Sequence, residues 1–222
     1  LNNGNGSSFT SSLLEQEKVF TSSRSDGIAS LKLSNHDEDR TGEVLGKSAA
    51  REKQAAAILL TAQGKPFIYQ GEELGYFGNK SRGDEYVRTP INWDGGAWAD
   101  KSLSGKTDPV LKGSAYSVSA QTADDNSVLS VYRRFGMARS THVALAKGKM
   151  SAFESTLPMT FAAWYMTSDD GEKLLVVHNL SAGEATVELQ ASLGNIVVSL
   201  GSVSVNGTSV SFGANSSAVF KQ

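Results

Sequence analysis

The 222-residue sequence predicts an α/β portion, from its start to about Lys147, followed by an antiparallel β-sandwich over 148–222. Three observations carry that prediction. Between Ile28 and Gln70 a short apolar strand, an alanine-rich helix and a second apolar strand follow one another, the order of a strand–helix–strand crossover in a parallel sheet. Both strands run out into acidic loops, Asn35-His36-Asp37-Glu38-Asp39-Arg40 and Gly71-Glu72-Glu73, and α/β folds place their chemistry at the carboxyl ends of strands. Beyond Gly148 helical spacing gives way to short β-branched runs, with hairpin signals at Asp169-Asp170-Gly171 and Asn206-Gly207.

Taken in order, Leu1 to Ser8 reads as a loop. Phe9 to Thr21 carries Leu13, Leu14, Val19 and Phe20 at roughly helical spacing, the pattern of an amphipathic helix packed on a sheet. The first strand is Ile28 to Leu33. Ser48 caps a helix that runs to about Gln63, with Ala55, Ile58, Leu59 and Ala62 on its buried face and Arg51, Glu52 and Lys53 at its polar start. Gly64 and Pro66 end it. Pro66 to Gln70 is the second strand, expected parallel to the first. Tyr76 to Thr122 shows little periodicity, and a loop that long in a compact domain is usually functional. A further helix spans Ser127 to about Leu145 and is closed by Gly148. Strands are expected at Phe161–Met166, Lys173–Asn179, Ala185–Leu189, Ile196–Leu200 and Ser216–Phe220, with Trp164 in the core.

A net charge of −2 offers no basic field for nucleic acid, and the absence of cysteine excludes disulfides and thiolate metal sites. No apolar stretch is long enough to span a bilayer. Asp124-Asp125-Asn126 is better placed to cap the following helix than to hold calcium. The chain begins at Leu1, not at a methionine, and is read as a piece of a longer protein.

A family is recognisable at three places. Asn35-His36-Asp37 resembles the fourth conserved region of the α-amylase family of glycoside hydrolases. The run from Gly64 to Gly75, Gly-x-Pro-x-Ile-Tyr-x-Gly-Glu-Glu-x-Gly, resembles the segment that follows it there. Arg88-Thr89-Pro90-Ile91-Asn92-Trp93-Asp94 is similar to a loop of α-glucosidase-like, neopullulanase and bacterial cell-surface amylase members. The resemblance implies that residues 1–147 are the C-terminal part of a catalytic (β/α)8 TIM barrel and 148–222 a C-terminal β-sandwich domain. It implies retaining cleavage of α-1,4-glucosidic bonds in starch or maltooligosaccharides by the full-length protein, with a transglycosidase or a non-catalytic glucan-binding fragment as the alternatives.

That chemistry passes through an oxocarbenium-like transition state and needs a nucleophile and an acid, about 5–5.5 Å apart. In the family a third carboxylate holds hydroxyls of the distorted sugar, and by resemblance it is Asp37. His36 binds the same sugar, and Asn35 fixes the loop. Asp84 and Arg88, four apart, match a pair that binds the sugar one subsite further from the cut; the competing reading is a surface ion pair worth little. Trp93 is expected to pack its loop, Trp98 to stack on sugar or pack, Arg40 to pair with Glu38 or Asp39, and Glu72 and Glu73 to be structural. His142 and His178 read as ordinary surface or core residues. The nucleophile and the acid/base sit on earlier strands in the family, and no stretch before Asp37 carries their patterns, so this chain alone is expected to be inactive. No cofactor is expected in it; calcium is left open for the preceding part of the barrel. Its expected partners are an α-glucan or maltooligosaccharide and that preceding N-terminal half, and substrate size points to export to the periplasm or bacterial surface, with the cytoplasm as the alternative.

Overall fold

The computed structural model describes residues 5–95 and 107–222; Trp98 lies outside them. Two compact units emerge from the packing. One is Leu1–Leu31 with Ala57–Lys65 and Arg134–Gln222, the other Lys32–Ala56 with Pro66–Arg133. Helix α1 (Gly6–Ser23) is followed by β1 (Ser30–Lys32), α2 (Thr41–Val44), α3 (Ala49–Thr61) and β2 (Lys65–Phe67). After these come α4 (Asp84–Val87), α5 (Val118–Thr122), α6 (Val128–Thr141), α7 (Val143–Lys147) and the strands β3 (Lys149–Ala152) to β10 (Ser217–Lys221).

The first unit is built on two antiparallel sheets. β3, β4 (Phe161–Thr167), β5 (Lys173–Asn179), β10 and β7 (Ile196–Leu200) form a five-stranded sheet in that spatial order. β6 (Ala185–Glu188), β9 (Ser209–Phe212) and β8 (Val203–Asn206) form a three-stranded one. Side chains alternate across a strand, so Phe161, Ala163, Leu175, Val177 and Phe220 of the larger sheet meet Val187, Val210 and Phe212 of the smaller in one core. Phe161 and Phe212 pack edge to face at 5.5 Å. β5 is buried from Leu174 to Asn179, which means its second face is covered too, and Trp164 on that second face is fully buried as expected. The expected hairpin turns join β4 to β5 and β8 to β9.

Asn5 caps α1 by accepting from the Ser8 N–H. The helix packs on β4 and β3 of the five-stranded sheet, yet its Val19 and Phe20 are exposed. The closest approach is made by its small N-terminal end. Gly6 N donates to Met159 O at 2.7 Å, and a Cβ on Gly6 would lie 2.2 Å from the Phe161 carbonyl carbon.

β1 and β2 are hydrogen-bonded neighbours in a two-stranded sheet. Of α3 and the residue after it, not only Ala55, Ile58, Leu59 and Ala62 but also Ala56, Ala57 and Leu60 are buried, as is Glu52, expected at a polar end. The uncharged run from Ala55 to Thr61 can be buried all round because its side chains are small or aliphatic and its one hydroxyl, on Thr61, is bonded to Ala57 O. Its last carbonyls are held from α6, where Arg139 donates to Leu60 O and Ala62 O at 3.0 Å and to Gly64 O at 2.5 Å.

The second unit is loop-rich. Between Tyr76 and Thr122 its described residues hold α4, α5 and several 3-10 turns. Asn92 organises this region. It is buried, its amide donates to Leu111 O and Gly113 O, its N–H donates to the Tyr76 hydroxyl, and its side-chain oxygen accepts from Gly95 N. With Asn92 turned inward, Trp93 next to it is turned outward and is 69% exposed, which corrects the expectation that it packs the loop. The cap of α6 is Ser127, whose Oγ accepts from Ser130 N at 3.0 Å; Asp124 instead accepts from Asn126 N in the preceding turn.

Two buried acids lie among the described residues of this unit. Glu72 accepts from Tyr132, Ser34 and Thr41 hydroxyls at 2.8–3.1 Å, so it is structural, through side chains and not through the loop backbone. Glu52 sits so close to Gly42 and Gly75 that a Cβ on Gly75 would lie 2.5 Å from its Oε2, and Gly75 also turns with φ 72°. Burial pushes the Glu52 carboxyl up from 4.5 to about 7. Below 4.5 folded and unfolded chains are both protonated there. Between 4.5 and 7 the folded chain keeps a proton that the unfolded one has lost, so stability falls as pH rises and the full penalty stands above 7. Glu52→Gln is therefore expected to raise stability by about 3 kcal/mol at pH 8 and by nothing at pH 4, read from urea midpoints. An equal effect at both pH values would mean that the gain is not the proton's.

Candidate active site

Each of the four residues singled out in the sequence falls in one cluster at the exit of β1. The loop is set by Asn35, whose side-chain oxygen accepts from the Asp37 N–H at 2.7 Å, a turn that a short amide closes on its own backbone. Its amide donates to Glu38, which also receives Lys32. Asp37 is thereby held with its carboxylate outward and 59% exposed.

Opposite stands the segment from Asn79 to Arg88. Asn79 caps a 3-10 turn over Lys80–Arg82, and α4 then places Asp84 and Arg88 one helical turn apart. Arg88 Nη2 lies 3.1 Å from Asp37 Oδ1 and 2.8 Å from Asp84 Oδ2, and Arg88 Nε donates to His36 O at 3.3 Å. On the other side of the Asp37 carboxylate, His36 Nε2 is 3.0 Å from Oδ2. The four side chains thus form one group, two carboxylates sharing the Arg88 guanidinium, and Asp84 with Arg88 is more than an isolated surface pair because Arg88 also reaches Asp37.

Lys80 completes the group and was not singled out in the sequence. Its Nζ donates to Asp84 Oδ1, and lies 3.5 Å from both Asp37 Oδ1 and His36 O. No helical spacing announced it, because Lys80 belongs to the 3-10 turn before Gly83 and Asp84 to the helix after it; the signal that was available is a lysine four residues from the singled-out Asp84. The Lys80 ammonium, with Arg88, holds the Asp84 carboxyl below the usual carboxylate range, and Asp84 in return raises Lys80. Two carboxylates facing solvent beside two cations give hydrogen-bond acceptors for sugar hydroxyls and donors for their oxygens, at fixed spacing.

Arg40 does not pair with Glu38 or Asp39. It is buried, donates to Gln70 O at 2.8 Å and lies over the rings of Tyr69 and Tyr76 at 4.6 and 5.5 Å, while burial pulls its pKa down. Planar, weakly hydrated guanidinium tolerates such a slot, and the two loop acids are engaged elsewhere, Glu38 with Lys32 and Asp39 with the Lys80 N–H. Among the described residues no group of His, Asp and Glu is arranged to hold a metal ion, and no helix is long and apolar enough to cross a membrane.

Comparison with known proteins agrees with this architecture. Residues 9–148 match the model of the α-amylase catalytic domain, and residues 161–219 match that of the α-amylase SusG C-terminal domain. The α-amylase SusG of Bacteroides thetaiotaomicron is 40% identical over 231 residues, covering 100% of this chain and 33% of its own length. α-Amylase 3 of Dictyoglomus thermophilum is 31% identical over 176 residues, 77% of this chain and 34% of its own. The chain spans about a third of the length of these relatives. Among solved structures, the α-amylase of H. orenii superposes with a TM-score of 0.80 at 23% identity, over 99% of this chain and 45% of its own. Amy13B of Eubacterium rectale does so with a TM-score of 0.83 at 22% identity, over 98% and 43%. These likenesses fix the fold: part of a (β/α)8 barrel joined to a C-terminal antiparallel sandwich. With the catalytic-domain model spanning most of its length and a relative 40% identical from end to end, the chain belongs to the α-amylase family of glycoside hydrolases.

Proposed function

We propose that the full-length protein is a retaining glycosidase that cleaves α-1,4 bonds of starch or maltooligosaccharides, and that this chain supplies its transition-state-stabilising carboxylate, Asp37. The observation that carries the reading is the convergence of Asp37, His36, Asp84 and Arg88 in one solvent-facing group at a strand exit. In a glycosidase of this type positive charge grows on the ring carbon and oxygen as the bond breaks. An ionised Asp37 accepting hydrogen bonds from the hydroxyls of that ring gains strength as the charge grows, so it favours the transition state over the bound ground state. His36 donates to the same ring, and Asp84 with Arg88 holds the next sugar.

The nucleophile and the acid/base are assigned to the remainder of the protein, so the isolated chain is expected to bind glucan weakly and to turn nothing over. We place the division between barrel and sandwich near Lys147 to Ser151, where α7 ends and β3 begins. Export to the periplasm or cell surface follows from a polymeric substrate. The reading is tested on the natural full-length product with maltoheptaose, by following the anomer first released beside the Asp37→Asn variant. Release of the α-anomer, lost in the variant, supports it. Initial release of the β-anomer, or undiminished turnover in the variant, overturns it.

A further inference from the structure

Lys80 stands between the two sugar-binding elements of the cluster. Its ammonium reaches Asp84 and Asp37 together, and its backbone N–H donates to Asp39 Oδ1 at 2.6 Å, so one residue is gripped at both ends by the loop that carries Asp37. The neighbouring backbone bond from Arg40 N to Gly78 O, at 3.0 Å, fixes the same junction. Its side chain is also less exposed, at 31%, than Asp37, Asp84 or Arg88. We propose that Lys80 is a positioning residue that sets the Asp37 carboxylate and couples it to the Asp84–Arg88 pair, so that occupation of the outer sugar site aligns the inner one. The proposal rests on the reading of Asp37 and Asp84–Arg88 as contacts to adjacent sugars.

The physical argument is one of shared partners. Asp37 Oδ1 takes both Arg88 and Lys80, and Asp84 takes the same two cations, one on each oxygen. The groups facing Asp37 are therefore the His36 ring and the two cations Lys80 and Arg88, with Asp84 across the cations. Removing one cation leaves the other divided between two carboxylates, which can then move apart; groups in one network couple in this way and are not additive. A flexible ammonium suits the task because it keeps both bonds while the carboxylates shift by small amounts.

The test uses the full-length protein and maltoheptaose. Lys80→Met keeps the length of the side chain and removes the charge. It is expected to lower kcat/KM about tenfold, with kcat reduced and KM raised together, and Lys80→Arg to recover to within about threefold of the parent. In an Asp84→Asn background the same Lys80→Met change is expected to cost only about twofold. Equal losses in both backgrounds, or a Lys80→Met enzyme within twofold of the parent while Asp37→Asn is inactive, overturn the positioning role and leave the functional reading standing. Lost activity that Lys80→Arg does not recover assigns Lys80 to loop stability alone and overturns it as well. Full turnover in Asp37→Asn removes the functional reading, and the proposal with it.

Discussion

Full-length protein carrying Asp37→Asn is expected to lose turnover of maltoheptaose by roughly 10²–10³-fold, the usual cost of deleting one group aimed at developing charge, while substrate affinity changes little. Asparagine keeps the shape and one acceptor oxygen, so the turn closed by Asn35 on the Asp37 N–H survives. Arg88 and Lys80 retain Asp84 as a partner, which keeps the opposite segment in place. What disappears is the negative charge beside a ring that becomes positive only as the bond breaks. A change confined to the transition state lowers kcat and kcat/KM equally and leaves ground-state binding alone. Steady-state kinetics with calorimetric binding decides the matter. A raised KM with kcat intact would make Asp37 an ordinary sugar contact.

The second large effect concerns stability. His178 of β5 lies opposite Ser217 of β10, fully buried against Trp164 at 4.9 Å. Thr61 spends its hydroxyl proton on Ala57 O at 2.7 Å, so it accepts from His178 Nε2–H at 3.3 Å, and His178 Nδ1 accepts from the Ser217 hydroxyl at 2.7 Å. The neutral ring is thus fully satisfied, and burial pushes its pKa from 6.5 down to about 3. Between those values the unfolded chain binds a proton that the folded chain refuses. Stability is fully present above 6.5 and is lost as pH falls through that window, by about 5 kcal/mol in all. His178→Gln cannot titrate, so it is expected to be less stable than the parent at pH 7, with the gap closing as pH drops to 4. Urea midpoints of the two proteins at both pH values check this; a gap that stays constant would place the acid sensitivity elsewhere.

How much of this was written in the sequence depends on the range of the interaction responsible. The loop set by Asn35 and the pair Asp84–Arg88 were legible through the family resemblance, and both prove to be local, a self-closing turn and a pair one helical turn apart. β5 and β7 were found at their full extents, since β-branched runs advertise a buried strand, whereas β8 and β9 interleave serine with valine and phenylalanine and were missed. The break between α6 and α7 was invisible for a different reason. Glu172, thirty residues on, takes His142 Nδ1 at 2.6 Å and the Ala144 N–H at 2.9 Å, capping α7 from another strand turn and holding His142 extended. Arg40 and Trp93 were misjudged in the same way, one drawn into a slot between two tyrosines and the other turned outward by its neighbour Asn92.

The close seat of Gly6 on β4 has a consequence for biosynthesis. The surface that α1 rests on is made of residues near Phe161, which leave the ribosome roughly 150 residues after the helix does, on the order of 8–30 s later at bacterial rates of elongation. During that interval the nascent helix has no native face to lie on, and Leu13 and Leu14, half-buried in the folded chain, stand uncovered. Its many serines and threonines are weak helix formers, so it gains little from propensity before that face appears.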